Sequence, residues 1–329
     1  ALRPETAQNI YINFQNFKAL GLRLPFAIAQ VGRSYRNEIS PRGTRLREFV
    51  QAEIEEFVLP EHLNTHPLYP KVRTLKLNFY FDDKTEALTL EEAVANGLVP
   101  NVRLAAWLGW EHIWLTQTLR IPEDRIRYYV VPPEERAFYS RGTIDVEVLL
   151  RSGWTEVIGN AYRSDYDLSQ HSRYSGANLT DGGRVPHVIE PSFGIDRLAM
   201  AVLEIHYDLT PKDRSWPVLR IPKTLAPFDV GIATVSDEEA FVRAAEELDL
   251  RLRSEGILTL KLYGKSIAAQ YARADSLGIP MVVTVDHQTL EDGTVTVRDR
   301  DSKAQKRVHV AELPSYITTA LGGEADGRW

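Results

Sequence analysis

Arg36-Asn37-Glu38 closes one strand-like run, and Gln51, Glu53 and Glu55 punctuate the next. Residues two apart on a strand share a face. Arg36 and Glu38 therefore point one way. Gln51, Glu53 and Glu55 line one face of the second strand, and Val50, Ala52 and Ile54 line the other. A solvated charge ladder is one reading of this pattern. The surrounding residues are too apolar for an exposed sheet, which favours a polar site on a sheet floor, with arginines placed for phosphate. A second constellation is Glu190-Pro191-Ser192-Phe193-Gly194-Ile195-Asp196-Arg197. A strand ends there, a small-residue turn follows and a helix opens. Glu190 and Ser192 can share a face. Arg197 falls in the first helical turn, near the positive end of the dipole, where anions bind. A cation there gains nothing from the dipole, so a binding role competes with that of an ordinary surface arginine.

Two other groupings imitate sites. Gly264-Lys265-Ser266 follows a strand and opens a helix, but phosphate-loop spacing requires glycine at 259, where Thr259 stands. His62 and His66 are four apart beside Pro67, with no glutamate in the zinc-protease position, and read as loop residues. The chain has no cysteine, which excludes disulfides, thiolate zinc sites and cysteine nucleophiles and suits a reducing cytoplasm.

The elements that must position these residues follow from periodicity. Phe26–Tyr35 and Phe49–Val58 read as an antiparallel strand pair around an arginine-rich loop, Ile39–Arg47. Residues 62–140 read as an insertion with helices at Thr89–Asn96, ended by Gly97, and at Asn101–Leu119, stopped near Pro122. Strand character returns at Trp154–Ile158 and Pro186–Glu190, and Ile195–Ile205 has the spacing of a helix with one buried face. A linker carrying Pro211, Pro217, Pro222 and Pro227 marks a domain boundary. Beyond it, strands at 229–235, 258–263 and 281–285 alternate with helices at 237–254 and 266–277. A hairpin, Thr294–Arg298 with Arg307–Val310, and a last helix follow. This predicts an α+β first domain over 1–222, an antiparallel sheet flanked by helices. A smaller α/β domain with a mixed sheet is predicted over 223–329.

The chain has 329 residues, 43% hydrophobic and 26% charged, with a formal charge of −6 from 39 basic and 45 acidic side chains. Disordered and fibrous classes are excluded, and about two domains are expected. No apolar run is long enough for a membrane span. A non-specific DNA binder would be basic. Local charge tells a different story at 294–310, where Arg298, Arg300, Lys303, Lys306 and Arg307 face only Asp299 and Asp301. That reads as a local basic patch on an acidic protein, or as an ordinary solvated hairpin.

Together these residues resemble the class II aminoacyl-tRNA synthetases, most closely the dimeric glycyl-tRNA synthetases of archaeal and eukaryotic-like type. Tyr35–Arg42, running on to Arg47-Glu48-Phe49, looks like motif 2, and Glu190–Arg197 looks like motif 3. Leu2–Gln8 resembles the glycine-site segment. Gly153–Gly159, leading to Arg163–Leu168, and Arg298–Ser302 are also similar to that family. The resemblance implies an enzyme, a glycine–tRNA ligase that forms glycyl-adenylate from glycine and ATP and then charges tRNA(Gly). It implies Arg36 and Arg197 as catalytic residues, and an ATP site of Arg36, Asn37, Glu38, Arg45, Phe49, Glu156 and Arg197. Glu38 would read the adenine amino group, and Phe49 and Arg197 would sandwich the ring. Glu156 would hold Mg2+. Glu5, Glu53, Glu190 and Ser192 would surround the glycine ammonium, with Arg163 near its carboxylate. The C-terminal domain would bind the anticodon, and the complete protein would be a cytoplasmic homodimer without a membrane anchor. The family's dimer strand has no counterpart here and would precede Ala1. Rivals are the histidine, proline or threonine enzymes of the same subgroup, which lack the Glu5/Glu53/Glu190 set, and a synthetase-like binding subunit that has lost catalysis, which would lack the phosphate arginines.

Overall fold

A computed structural model of the protein describes residues 2–41 and 43–322; Ala1, and Arg42 of the motif 2 loop, lie outside the described residues. Residues 1–202 and 203–329 form two units. In the first, the strands are β1 (Phe26–Tyr35), β2 (Glu48–Val58), β3 (Lys76–Phe81), β4 (Lys84–Thr89), β5 (Ile126–Val130), β6 (Gly142–Leu150), β7 (Gly153–Ser164) and β8 (His187–Gly194). They hydrogen-bond in the order β1-β2-β8-β7-β6-β5-β3-β4. Every pairing is antiparallel except a short parallel one between β3 and β5. This is the antiparallel-rich α+β sheet that the motifs predict. Residues 62–140 nevertheless supply β3, β4 and β5 to that sheet, where the sequence suggested helices alone. The missed signal is Asp82-Asp83, both at positive φ (48° and 57°), the two-residue turn that matches strand twist in a hairpin.

The helices are α1 (Ala7–Ile12), α2 (Phe14–Ala19), α3 (Tyr69–Val72), α4 (Leu90–Ala95), α5 (Val102–Ile113), α6 (Tyr166–Ser175) and α7 (Ile195–His206). Thr89 and Glu92 close a reciprocal capping box on α4. The Asn101 side chain caps α5 by accepting the Leu104 N–H at 2.9 Å. The expected single helix to Leu119 instead loosens into a π-helical turn at Trp114–Thr118. There the Thr116 hydroxyl donates to the His112 carbonyl at 2.7 Å, and Trp114 meets Phe193 edge-on at 5.9 Å.

The alternation on β2 is real, but its sense is unusual. Gln51, Glu53 and Glu55 are buried, whereas Val50, Ala52 and Ile54 are only partly so. Ala7, Ile10, Tyr11 and Phe14 pack with Phe57, Leu168 and Val188, forming an apolar cluster at the far end of the polar strip.

The second unit opens with the β9 (Tyr207–Asp208) and β10 (Val218–Leu219) pair. It continues through β11 (Val230–Thr234), α8 (Glu239–Ser254), β12 (Thr259–Lys261), α9 (Ile267–Ser276), β13 (Met281–Val285), α10 (His287–Asp292), β14 (Thr294–Asp299), β15 (Gln305–His309) and α11 (Leu313–Gly322). Its sheet runs β12-β11-β13-β14-β15, parallel over the first three strands and antiparallel after β13. That mixed sheet is the predicted one.

The basic patch expected on the hairpin does not form as such. Arg298 and Arg300 are 4% and 2% exposed. Arg298 donates to both carboxylate oxygens of buried Asp275, at 3.0 and 3.2 Å. Arg214 and Trp216 donate to the same carboxylate at 2.7 and 2.9 Å. Arg300 donates to the Gly278 and Ile221 carbonyls, and Arg307 is paired with Asp286. Arg300 also pairs with its neighbour Asp301, but the acids that hold Arg298 and Arg307 come from α9 and the start of α10, outside the window in which charge was counted. Lys303 and Lys306 alone keep their exposure.

Candidate active site

Motif-like segments from four places in the chain meet on the polar face of β2, β8 and β7. They enclose a cleft of about 260 Å³. Every residue singled out for ATP, glycine or metal lines it except Asn37 and Arg163. Asn37 is exposed in the loop after β1. Arg163, 1% exposed, lies behind the wall.

One end of the cleft is acidic. Glu5, Glu53 and Glu190 each present an oxygen within 4.8 Å of the others. β2–β8 pairing sets two of them side by side, because Glu53 sits opposite Ser192, whose neighbour but one is Glu190. Glu53 Oε2 accepts the Thr6 N–H at 2.6 Å and the Thr6 hydroxyl. Its Oε1 accepts from Gln51 Nε2 at 3.2 Å and Ser192 Oγ at 3.3 Å. All these donors are neutral, so they fix the carboxylate without cancelling its charge. Arg163 serves several acids at once. It donates to Glu190 at 2.9 and 2.8 Å and to Asp167 at 2.7 and 2.8 Å, and lies 3.6 Å from Glu5. Its guanidinium also stacks 3.7 Å from the Tyr139 ring centroid. Burial pushes the Glu190 carboxyl up to about 7; Arg163 opposes the rise, and Glu53 adds to it. Glu55, one turn of the pleat deeper, is raised well above the ordinary range by burial and then by Glu190, although Tyr11 donates to it at 2.8 Å.

The other end is cationic and aromatic. The Arg36 guanidinium lies 5.1 Å from the Phe49 ring centroid, and its Nε donates to the Pro4 carbonyl at 3.4 Å. Arg47 Nε steadies the loop by donating to the Glu38 carbonyl at 3.0 Å. Arg197 donates to the Glu156 carboxylate at 3.0 Å, to the Glu156 carbonyl at 2.9 Å and to the Thr44 carbonyl at 3.3 Å. The adjacent Asp196 accepts the Val50 N–H at 2.7 Å, pinning β2 to the start of α7.

Sequence reasoning missed Asp145, which lies opposite Gly159 across the β6–β7 pair. A Cβ at Gly159 would stand 3.5 Å from Glu156 Oε1 and 3.6 Å from Asp145 Oδ1, so both carboxylates open onto one space left free by the glycine. Burial, and then Glu156, push the Asp145 carboxyl up to about 8. Two acids sharing a space in this way fit a divalent cation with oxygen ligands. The signal was present as Thr143, Asp145 and Glu147 alternating with Ile144, Val146 and Val148, the pattern of a half-buried strand. Thr6 and Asp167 were also missed as partners of the acidic end.

An antiparallel-rich sheet carrying an arginine on its edge loop and another on the helix after its central strand defines the class II synthetase core. The family model "tRNA synthetase class II core domain (G, H, P, S and T)" matches residues 1–206, and "Anticodon binding domain" matches residues 229–320. The glycine–tRNA ligases of Archaeoglobus fulgidus and Pyrococcus horikoshii are each 36% identical to the chain. These alignments cover 99% and 98% of the chain, and 71% and 72% of the respective relatives. The ligase of Methanothermobacter thermautotrophicus is 35% identical over 98% of the chain and 72% of its own length. A prolyl-tRNA synthetase from Cryptosporidium parvum, solved with L-proline and AMP, superposes with a TM-score of 0.62 at 17% identity. It is similar in fold, over 98% of this chain and 61% of that one. The chain belongs to the glycine–tRNA ligase family of class II aminoacyl-tRNA synthetases.

Proposed function

We propose that this cleft joins glycine to ATP as glycyl-adenylate and then passes the glycyl group to the 3′ end of tRNA(Gly). Family membership makes ATP-dependent glycine–tRNA ligation the activity of the chain. The observation that carries the choice of amino acid is the acidic end. Glu53 is fixed by neutral donors, and Glu5 and Glu190 share one guanidinium with Asp167. An ammonium supplies the missing positive charge and three hydrogen-bond donors. The carboxylates and Ser192 fill the space that a larger amino acid would need. Exclusion does the selecting, because a pocket gains little from a substrate with no side chain. The same three acids could hold a metal, but Glu190 already gives both oxygens to Arg163, and Glu53 gives both to neutral donors.

In the activation step, a glycine carboxylate oxygen attacks the α-phosphorus and pyrophosphate leaves. Arg36 meets the charge that grows on the phosphoryl oxygens. Adenine takes the face of Phe49 that Arg36 covers, with Arg197 on its other side and Glu38 at its amino group. Arg45 and Arg197 reach the γ-phosphate, and Asn37 supports the loop that carries these contacts. Arg163 acts on glycine through the carboxylates it orients. Mg2+ would be held by Glu156 with Asp145, and when bound it neutralises phosphate charge. In the transfer step, a terminal tRNA hydroxyl attacks the glycyl carbonyl and AMP leaves. We place the catalytic domain at 1–222 and the anticodon-binding domain at 223–329. Among the described residues no helix is long and apolar enough to cross a membrane. A cytoplasmic homodimer remains the assembly that the family resemblance favours.

The test is charging of total tRNA with labelled amino acids in the presence of ATP and Mg2+. Label on tRNA from glycine, with pyrophosphate and AMP released, is expected. Charging with proline, histidine or threonine instead would overturn the reading.

A further inference from the structure

Beneath the cleft floor, on the opposite face of the sheet, a glutamate and an asparagine face each other. Glu111 on α5 is 3% exposed, and Asn160 on β7 is fully buried. Asn160 Nδ2 donates to Glu111 Oε2 at 2.9 Å. The remaining two atoms, Glu111 Oε1 and Asn160 Oδ1, have no partner among the described residues. Two buried acceptors left unpaired would be costly. A single proton removes both costs. If Oε1 carries hydrogen it donates to Oδ1, and acid and amide close a ring of two hydrogen bonds.

Asn160 occupies a point where the sheet needs support. Its neighbours Gly159 and Ala161 line the cleft, and its cross-strand partner is Pro191, between Glu190 and Ser192. Proline has no N–H for the ladder. The β2–β8 pairing also lapses at Glu190 and Pro191, between the Glu53–Ser192 and Glu56–Ile189 pairs. Of the residues proposed to meet glycine, Glu190 thus lies in this gap in the β2–β8 ladder and Ser192 borders it.

We propose that Glu111 is a positioning residue for glycine activation: held as the neutral acid, it makes a doubly hydrogen-bonded pair with Asn160 that fixes the Gly159–Ala161 and Glu190–Ser192 floor from behind. Burial pushes the Glu111 carboxyl up to about 8, against the hydrogen bond from Asn160. The ionisable group facing it from β5 is Tyr128, itself raised well above its ordinary range by burial and then by Glu111. On its own helix His112 turns to Tyr128, at 3.0 Å. Neither Asn160 nor Tyr128 brings a positive charge to the pocket.

The inference rests on the proposed glycine activation, so its test includes a readout that does not depend on activity. Glu111→Gln and Glu111→Leu are made in the full chain. Glutamine preserves both hydrogen bonds and cannot ionise. The folded pKa of Glu111 lies above its ordinary 4.5, so the folded state holds the extra proton. Wild type should therefore lose stability relative to Glu111→Gln as pH rises from about 4.5 through about 8. The denaturation midpoints of the two proteins read this directly. A pH-independent difference overturns the neutral acid, whether or not the protein activates glycine. In glycine-dependent pyrophosphate exchange, ionisation of Glu111 should weaken glycine binding by wild type as pH rises through about 8, and Glu111→Gln should keep the neutral-pH KM and lose that decline. Glu111→Leu should raise the KM for glycine about tenfold. If Glu111→Gln retains that decline, or fails at neutral pH as badly as the leucine variant, the positioning role is wrong. Absence of glycine exchange in wild type at neutral pH would instead refute the proposed function.

Discussion

Arg163 Nη1 lies 2.9 and 2.8 Å from the two carboxylate oxygens of Glu190, yet the Glu190 carboxyl still sits at about 7. Burial drives it up, Arg163 pulls against it, and Glu53 and Glu5 add to the rise. In the proposed pocket, glycine would therefore meet a charge that is not settled until it arrives. An ammonium favours ionised Glu190, so binding should release a proton near neutral pH. Glycine affinity should rise as pH climbs through about 7, before the decline that ionisation of Glu111 brings near pH 8. Calorimetry in two buffers of different ionisation enthalpy reads the proton count, and zero release would contradict this. Glu190→Gln should abolish this rise in affinity and raise the KM for glycine by at least about tenfold, the scale of one lost charged hydrogen bond.

Arg36 rests on Phe49 and is positioned to move to phosphate. Arg36→Ala should lower the rate of adenylate formation by about a hundredfold or more, the scale of one preorganised donor. Single-turnover kinetics with ATP titration separates this from binding. Equal losses in rate and ATP affinity would mean that the arginine binds ground and transition states alike.

Asp145 and Glu156 share the space over Gly159. Asp145→Asn should raise the Mg2+ concentration needed for half-maximal pyrophosphate exchange, and chelation should stop exchange in wild type. An unchanged Mg2+ titration in the variant would remove Asp145 from the cation site. Gly159→Ala should produce the same shift by placing a methyl group between the two acids.

The Asp275–Arg298 pair is almost completely enclosed, with side chains 0% and 5% exposed. Breaking such a pair from one side costs about 3–5 kcal/mol. Asp275→Ala strands Arg298 and leaves Arg214 with Asp213 as its only carboxylate, and thermal denaturation should show the C-terminal unit melting well below its wild-type temperature. Lys306→Ala, at the exposed rim of the same hairpin, should leave that transition in place. Similar behaviour of the two variants would contradict the distinction drawn between buried and exposed basic residues.

The sequence made the site more legible than its surroundings. Arg36, Glu53, Glu190 and Arg197 lie in short strings whose residue types make sense only together, and strand alternation already put Gln51, Glu53 and Glu55 on one face. It could not say that this face was the buried one, because burial depends on α1 covering it and β8 pairing beside it, both from distant parts of the chain. Asp145 stayed hidden because β6 looked like any half-polar strand until Gly159 was set opposite it. The arginines at 298 and 300 misled for the converse reason. Their local charge was correct, but Asp275, which holds Arg298, came from α9, Arg300 turned inward to the Gly278 and Ile221 carbonyls, and two buried guanidinium groups looked like a surface. Arg163 was legible as important, but the carboxylates that claim all its donors come from three separate segments.

Amino-acid-dependent ATP–pyrophosphate exchange, run with each of the twenty amino acids on the full chain, tests the glycine pocket most directly. Glycine alone should support exchange if, as proposed, Glu5, Glu53, Glu190 and Ser192 leave room for an ammonium and no side chain. Exchange with alanine or serine at a rate comparable to glycine would contradict selection by exclusion.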